Sequence, residues 1–343
     1  MPIDEPGPGR PRNEVVTELA TSGASWAGER VCIVGAGYMG TGIGQVLALA
    51  GADRVVLVDT DAGRARAAVE RTVAEAASFE REELLPPGAA DLIADRTSAG
   101  DDLPASAAAA TLVVEAVFED PAVKVPVLRD IARAAAPDAV ITTNTSAIPI
   151  RQLAGALPDP SRFLGLHWFN PPQFVPGVEV IPGPDTADGI APRLVELLRR
   201  AGKWPAVVPD TSGFVCNRLQ FALFREAAMM VEEGLATPEA IDEVVRGSFG
   251  FRLPFYGPFM IADMAGLDVY AGAYQALEEA YGPRFSCPPS LAAKVAAGEY
   301  GAKTGSGYTV RGSHWSSDQA LHRNRSYRRL QRIADDGAAP DAG

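Results

Sequence analysis

Short apolar runs alternate with amphipathic stretches from the start of the folded part to about residue 209. Residues 31–35, Val-Cys-Ile-Val-Gly, form an apolar run that ends in glycine, the mark of a buried parallel strand. Helical spacing follows from about Met39 to Ala50, then a second apolar strand from Val55 to Asp59. An Ala- and Glu-rich helix is expected over about Asp61 to Leu84, closed by Pro86-Pro87-Gly88. Apolar runs at 111–116, 139–143 and 163–167 alternate with further helical segments. This rhythm predicts an α/β fold with a doubly wound, mostly parallel sheet. The pattern changes at Asp210-Thr211-Ser212-Gly213. Beyond it, helices are expected at about 214–234, 238–248, 258–264, 267–281 and 288–298, with almost no strand signal. An all-helical C-terminal domain is therefore expected, with the boundary near 209.

The ends of the chain read differently. Residues 1–28 are rich in Pro, Gly and charge with no apolar core, so they read as a disordered leader and not as a signal peptide. The last segment, 311–343, carries Arg311, Arg323, Arg325, Arg328, Arg329 and Arg332, looks helical over about 317–334, and ends in a stretch expected to be disordered. Four parts result: a leader 1–28, an α/β domain 29–209, a helical domain 210–310 and a basic extension with its tail 311–343. The 343 residues, 47% hydrophobic and 22% charged, suffice for two domains with a real core. Against 31 Lys and Arg stand 43 Asp and Glu, a net charge of −12. Such a surface repels nucleic acid and anionic membrane, so neither is expected as a partner, and the basic extension is expected to dock on the protein's own surface. The three cysteines match no disulfide framework or metal spacing. No metal is expected, and a reducing cytoplasm is the expected setting.

Two constellations carry chemistry. Gly35-Ala36-Gly37-Tyr38-Met39-Gly40 fits G-x-G-x-x-G directly after a strand and at the opening of a helix. The first glycine permits a tight turn, the second lets a pyrophosphate approach the backbone, and the third lets helix pack on strand. The second strand ends in Asp59, 19 residues past Gly40, where a carboxylate can accept both ribose hydroxyls. The domain is thus expected to be Rossmann-like. Asp59 would repel a 2′-phosphate, so the cofactor expected is NAD, with Arg64 and Arg66 the residues that speak for NADP. The other constellation rests on His167, since His314 and His322 lie in the polar tail. His167 ends a predicted strand, at the sheet edge where ligands of such folds bind, and Glu179 follows 12 residues later. A neutral imidazole can take a hydroxyl proton, and a buried carboxylate on its other nitrogen would fix the tautomer. The spacing alone suits a structural histidine with an unrelated surface glutamate equally well.

Five segments, GAGYMG, VVEAVFEDPAVK (113–124), NTS (144–146), GLHWFNPP to VEVI (165–181) and SGFVCNRL (212–219), together resemble the L-3-hydroxyacyl-CoA dehydrogenase family over about residues 30–310. The resemblance implies an NAD-dependent oxidation of a secondary alcohol, with His167 as general base and Glu179 orienting it. It implies that Ser146 and Asn217 hold the substrate oxygen, that Glu119 and Lys124 line the nicotinamide side, and that Asn170 lies beside cofactor and base. It further implies a homodimer formed by the helical domain, and a place in fatty-acid metabolism. Helix 214–234, apolar on more than one face, agrees with burial against a partner.

Two departures bear on the substrate. Acyl-CoA enzymes carry a basic helix after the second strand, whereas here its later part reads Glu75-Ala-Ala-Ser-Phe-Glu80-Arg81-Glu82-Glu83. That surface offers nothing to CoA phosphates, unless the CoA is mostly solvent-exposed and tolerates the change. The segment 247–259 is longer than in the acyl-CoA enzymes and resembles relatives that act on free carboxylates, such as gulonate, carnitine and pyridine-carboxylate dehydrogenases. Arg225 and Arg252 are then candidates for a carboxylate clamp, or else solvated arginines near helix ends. Gly177 is expected to leave extra room near the base. Three readings stand: a dehydrogenase of 3-hydroxyacyl thioesters or hydroxy acids, a dehydrogenase of a small non-CoA carboxylated alcohol or aldehyde, and an inactive crystallin-like NAD-binding protein. The intact His167, Glu179, Ser146 and Asn217 argue against the last.

Overall fold

A computed structural model of the chain describes residues 26–310 and 317–336; most of the expected leader, residues 311–316 and the tail from 337 lie outside the described residues. The chain divides into two compact units between Ala222 and Leu223.

The first unit runs β1 (Arg30–Val34), α1 (Tyr38–Leu49), β2 (Arg54–Val58), α2 (Ala62–Arg81), α3 (Ala89–Arg96), β3 (Thr97–Ala99), α4 (Leu103–Ala108), β4 (Leu112–Glu115), α5 (Pro121–Ala134), β5 (Val140–Thr143), α6 (Ile150–Ala154), β6 (Phe163–Trp168), β7 (Gly177–Pro182), α7 (Ile190–Arg200) and β8 (Trp204–Val207). The strands form one eight-stranded sheet in the order β3-β2-β1-β4-β5-β6-β7-β8. Every neighbouring pair is parallel except β6 with β7. The sheet is Rossmann-like, doubly wound and mostly parallel, as the alternation predicts. Its central strands are continuous apolar runs because both faces are covered. Ile33 and Val114 join one core cluster while Cys32 and Val113 join another, as alternation along a strand requires.

Three strands escape the sequence pattern. β3 is three residues long, β7 is broken by Glu179, and β8 contains Pro205, which confines it to the sheet edge. Trp26, assigned to the leader by sequence, is 1% exposed, and its indole donates to the Leu197 carbonyl at 2.8 Å. α2 ends three residues before the expected Leu84, where Glu83 takes the left-handed conformation at φ 57°.

The second unit is helical: α8 (Cys216–Glu232, which begins in the first unit), α9 (Pro238–Gly247), α10 (Pro258–Ala265), α11 (Leu267–Tyr281), α12 (Pro289–Ala296) and α13 (Ser317–Asp336). Its buried apolar cluster is small, formed by Ala262, Leu267 and Leu291. Asp263, fully buried, accepts from the backbone of Tyr308, Thr309 and Val310 and from the Thr309 hydroxyl. These bonds tie the segment before α13 to α10. Tyr327 of α13 packs against Phe251, Phe255 and Tyr256 at 5.9, 6.0 and 6.2 Å between ring centres, so the extension docks within its own unit.

Candidate active site

The glycine turn lies between β1 and α1. Gly35 has φ +104°, and a Cβ there would stand 2.6 Å from the Ala116 carbonyl oxygen. At Gly40 a Cβ would stand 2.0 Å from the Gly35 carbonyl oxygen, so no other residue allows α1 to approach β1 this closely. Gly37 meets nothing within 4 Å. It also caps α1 without a side-chain bond, which leaves the first backbone N–H groups facing the open side. Tyr38 is exposed there, and Met39 packs on the edge of the core. The turn is closed behind and open in front, as a pyrophosphate cradle must be.

Asp59 follows β2. Its Oδ2 accepts from Ala36 N at 3.0 Å, which ties it to the glycine turn, and Oδ1 accepts from Thr60 N at 2.8 Å. Partial burial raises the carboxyl, but these bonds, the Thr60 hydroxyl and Arg64 outweigh it and hold it below the usual carboxylate range. Arg64 Nε lies 3.1 Å from Asp59 Oδ1, and Arg66 lies 3.2 Å from Asp101. Both arginines that speak for NADP thus face carboxylates.

The register of β6 and β7 explains the 12-residue interval between His167 and Glu179. The two are directly opposed on the antiparallel pair, so their side chains share one face. His167 Nδ1 and Glu179 Oε2 are 2.8 Å apart, with both residues at or below 5% exposed. Glu179 Oε1 accepts from Val215 N at 3.0 Å and Cys216 N at 2.9 Å, at the start of α8. Burial raises the Glu179 carboxyl, but the bonds from His167, Cys216 N and Val215 N outweigh it and keep the group ionised at neutral pH. A fixed carboxylate on Nδ1 holds the proton there and leaves Nε2 as the acceptor. Phe169 and Phe214 flank the imidazole at 4.5 and 5.8 Å between ring centres. The room that Gly177 was expected to open is taken: a Cβ at Gly177 would stand 3.1 Å from the Phe169 ring.

Ser146, exposed, follows β5. Its backbone N–H donates to Glu119 Oε1 at 2.7 Å, and its carbonyl accepts from Asn217 Nδ2 at 2.6 Å. Ser146, Asn217 and Glu119 are therefore joined, and Glu179 holds the start of α8, on which Asn217 stands. Lys124, matched by resemblance to a residue beside the nicotinamide, has no exposed surface. Its ammonium donates to Glu115 Oε1 at 2.8 Å, to Asn144 O at 3.0 Å and to Val117 O at 3.3 Å, with Glu119 Oε2 at 3.4 Å. Asn170 is exposed in the segment after β6.

Glu115, Thr143 and Asn144 carry no role in the sequence reading, yet they link the site. Glu115 Oε1 also accepts from Val117 N, its Oε2 accepts from the Thr143 hydroxyl, and Asn144 Oδ1 accepts from Trp168 N at 3.1 Å. The available signal was a carboxylate closing the apolar run Leu-Val-Val-Glu at 112–115. Arg225 and Arg252 lie in the second unit. Arg225 is exposed on α8, and Arg252 lines a cleft of about 370 Å³ with Ile261, Met264, Arg323 and Tyr327. No contact joins the two among the described residues.

With this geometry in hand, two family models match: the NAD binding domain of 3-hydroxyacyl-CoA dehydrogenase over residues 30–211 and the C-terminal domain of the same enzyme over 213–310. The chain belongs to the 3-hydroxyacyl-CoA dehydrogenase family. Within it, the chain is 37% identical over 289 residues to a 3-hydroxybutyryl-CoA dehydrogenase of Mycobacterium tuberculosis, covering 82% of this chain and 97% of the relative. It is 34% identical over 278 residues to a 5-formyl-3-hydroxy-2-methylpyridine 4-carboxylate 5-dehydrogenase of Mesorhizobium japonicum, covering 81% and 89%. The crystal structure of a 3-hydroxyacyl-CoA dehydrogenase from Archaeoglobus fulgidus superposes with a TM-score of 0.74 at 31% identity, covering 90% of this chain and 99% of that one. The first unit carries the family's NAD-binding domain, and α13 lies beyond the matched span.

Proposed function

We propose that the protein oxidises the secondary alcohol of a small 3-hydroxyacyl substrate to the ketone, with NAD as hydride acceptor and His167 as base. The observation that carries this is the buried His167–Glu179 pair, fixed by strand register on one side and by two backbone N–H groups on the other. His167 Nε2 takes the hydroxyl proton, and the ionised Glu179 stabilises the imidazolium that results. As the carbonyl forms, the Ser146 hydroxyl and the Asn217 amide donate to its oxygen. Bound NAD supplies the hydride acceptor. The glycine turn and Asp59 would hold its diphosphate and adenosine ribose, Glu119 and Asn170 would line the nicotinamide side, and Lys124 would act through Glu119 and Asn144, which it holds. The proton leaves His167 to solvent, so one alcohol and one NAD give one ketone, one NADH and one proton.

A thioester substrate, and with it a place in fatty-acid metabolism, is compatible with the acidic helix. Glu75 accepts from Gln45, and Glu80 caps the start of α3 through Gly88 N and Ala90 N. Two of the four acids therefore have structural work and are not evidence about the substrate. A free carboxylated substrate is the second reading, favoured by the pyridine-carboxylate relative and by the pairing of Arg252 with Arg323 around one cleft. The protein is further proposed to act as a homodimer in the cytoplasm. α8 buries none of its side chains and exposes Leu219, Phe221, Leu223 and Phe224, a surface of the kind that marks an interface. All three cysteines are free, and among the described residues no helix is long and apolar enough to cross a membrane.

The test follows NADH formation at 340 nm with 3-hydroxybutyryl-CoA and a panel of free hydroxy acids. His167→Ala is expected to lower kcat by about 10²- to 10⁴-fold, the range for a positioned general base. Equal rates in both proteins would remove His167 from the mechanism. Turnover of the thioester alone would remove the clamp reading of Arg225 and Arg252.

A further inference from the structure

The eight residues 169–176 join β6 to β7 without strand or helix, yet they carry Phe169 against the imidazole and the exposed Asn170. A connection this long needs anchors to keep one conformation. It has them on two sides. Toward α1 and α2, Gln173 Nε2 donates to Gln45 Oε1 at 2.8 Å, and Gln45 in turn donates to Thr72 O and to Glu75 Oε2. Phe174 packs edge-on against Phe79 at 5.1 Å. Gly42 of α1 makes this approach possible, because a Cβ there would stand 2.6 Å from Pro172.

On the other side stands Lys203, just before β8. It is 6% exposed, and its ammonium donates to the carbonyls of Pro172 and Val175, the second at 3.0 Å. It also lies 5.7 Å from the centre of the Trp168 ring. No carboxylate pairs with it among the described residues. A buried unpaired ammonium is expensive, and burial pushes its pKa down to about 8. Both carbonyls that this amine bonds among the described residues belong to the connection, whose bent backbone has no ladder partner for them.

We propose that Lys203 is a positioning residue that clamps the 169–176 connection and so shapes the cofactor side of the site. The base itself is held elsewhere, by the β6–β7 register and by Glu179. Releasing the clamp therefore loosens what the connection holds and leaves the proton-transfer pair in place. The result is a split between binding and turnover, which a general loss of stability does not produce.

This inference rests on the dehydrogenase reading, so the experiment separates the two. NADH binding is measured by fluorescence titration, and KM for NAD and kcat by turnover of whichever panel substrate is oxidised. Lys203→Met keeps the apolar stem and removes the donors. It is expected to raise both the NADH dissociation constant and KM for NAD about tenfold, equivalent to about 1.4 kcal/mol, while kcat falls less than twofold. Gln173→Leu leaves the amine in place and cuts the opposite anchor; a smaller rise of the same kind is expected, and this variant carries the test if Lys203→Met does not fold. Unchanged NADH affinity in these variants, or a fall in kcat at constant KM, overturns the clamp alone. No NADH binding by the unsubstituted protein overturns the cofactor reading and the clamp with it.

Discussion

The two units bury their apolar residues to very different degrees. In the first, helices cover both faces of the sheet, and two clusters take in most of the large apolar side chains. In the second, three of the described residues form the buried cluster, while Phe224, Val244, Phe259 and Val269 are each more than half exposed. A sheet wrapped by its own crossover helices completes its core within one chain. Amphipathic helices that leave such side chains exposed do not. Each unit nevertheless contains a fully buried charged anchor: the Lys124–Glu115 pair in the first and Asp263 in the second. The difference teaches that the first unit is finished as a fold and is organised around its polar groups, whereas the second leaves large apolar side chains exposed.

The sharpest way to break the comparison is to remove a buried charge from the finished unit. Lys124→Met leaves the Glu115 carboxyl buried without its cation and frees Asn144 and Glu119 from their common donor. Losing one partner of a buried pair typically costs about 3–5 kcal/mol. Urea unfolding should show that loss, and the double variant Lys124→Met with Glu115→Leu should regain part of it. A loss below about 1 kcal/mol, the level of an exposed pair, would mean that the pair is not what organises this end of the sheet.

This pair also shows how far the sequence could be read. The glycine turn and Asp59 were legible because they answer backbone constraints that only glycine and a short acid at a fixed distance satisfy. The helices α1, α2 and α8 to α13 are legible from their period to within two or three residues, whereas the period sets no bounds for α3 to α7. His167 and Glu179 were a different case: their interval is set by the cross-strand register and by an irregular eight-residue connection, so spacing alone said nothing and the resemblance to known enzymes supplied the pairing. Lys124 is placed on the cofactor side by resemblance alone, since linear sequence does not say which way a helical lysine points. The structure turns it into the core, toward Glu115 and Asn144, neither of which had been singled out. The strands β7 and β8 escape the apolar pattern because Glu179 interrupts it in one and Pro205 in the other. In each case tertiary packing, and not local preference, decided the outcome.

The second unit invites the converse experiment. If a second copy covers α8, Phe224, 68% exposed here, becomes buried twice in a two-fold interface. Two phenyl burials of roughly 1.5 kcal/mol each make about 3 kcal/mol per dimer, or more than a hundredfold in the dimer dissociation constant. Phe224→Glu should therefore shift the protein toward monomer in sedimentation or light scattering, while the wild type stays dimeric at the same concentration. A wild type that is monomeric at tens of micromolar would remove the second copy as the cover.

The smallest effect concerns the charged anchor of the unfinished unit and should appear in acid. Burial raises the Asp263 carboxyl, but the N–H groups of Thr309, Tyr308 and Val310 and the Thr309 hydroxyl outweigh it and lower the pKa from its ordinary value. An ordinary aspartate titrates near ~3.9, so the folded protein holds this group ionised further into acid than the unfolded chain does. The native state then binds fewer protons than the unfolded state around that value, and stability falls with falling pH. The contribution is fully present above about pH 5 and is lost as pH drops through the folded-state value. Asp263→Asn keeps the size and one acceptor but places an amide donor against backbone donors. It should cost about 2 kcal/mol at neutral pH, the scale of hydrogen bonds to a charged group. The difference from wild type should shrink as the pH is lowered, and thermal unfolding at several pH values would follow it. Because these bonds tie residues 308–310 to α10, the same variant should also speed proteolysis at the base of α13. A difference that stays constant down to pH 3 would mean the carboxylate contributes by shape and not by charge, and the anchor of the second unit would then be unlike the ion pair of the first.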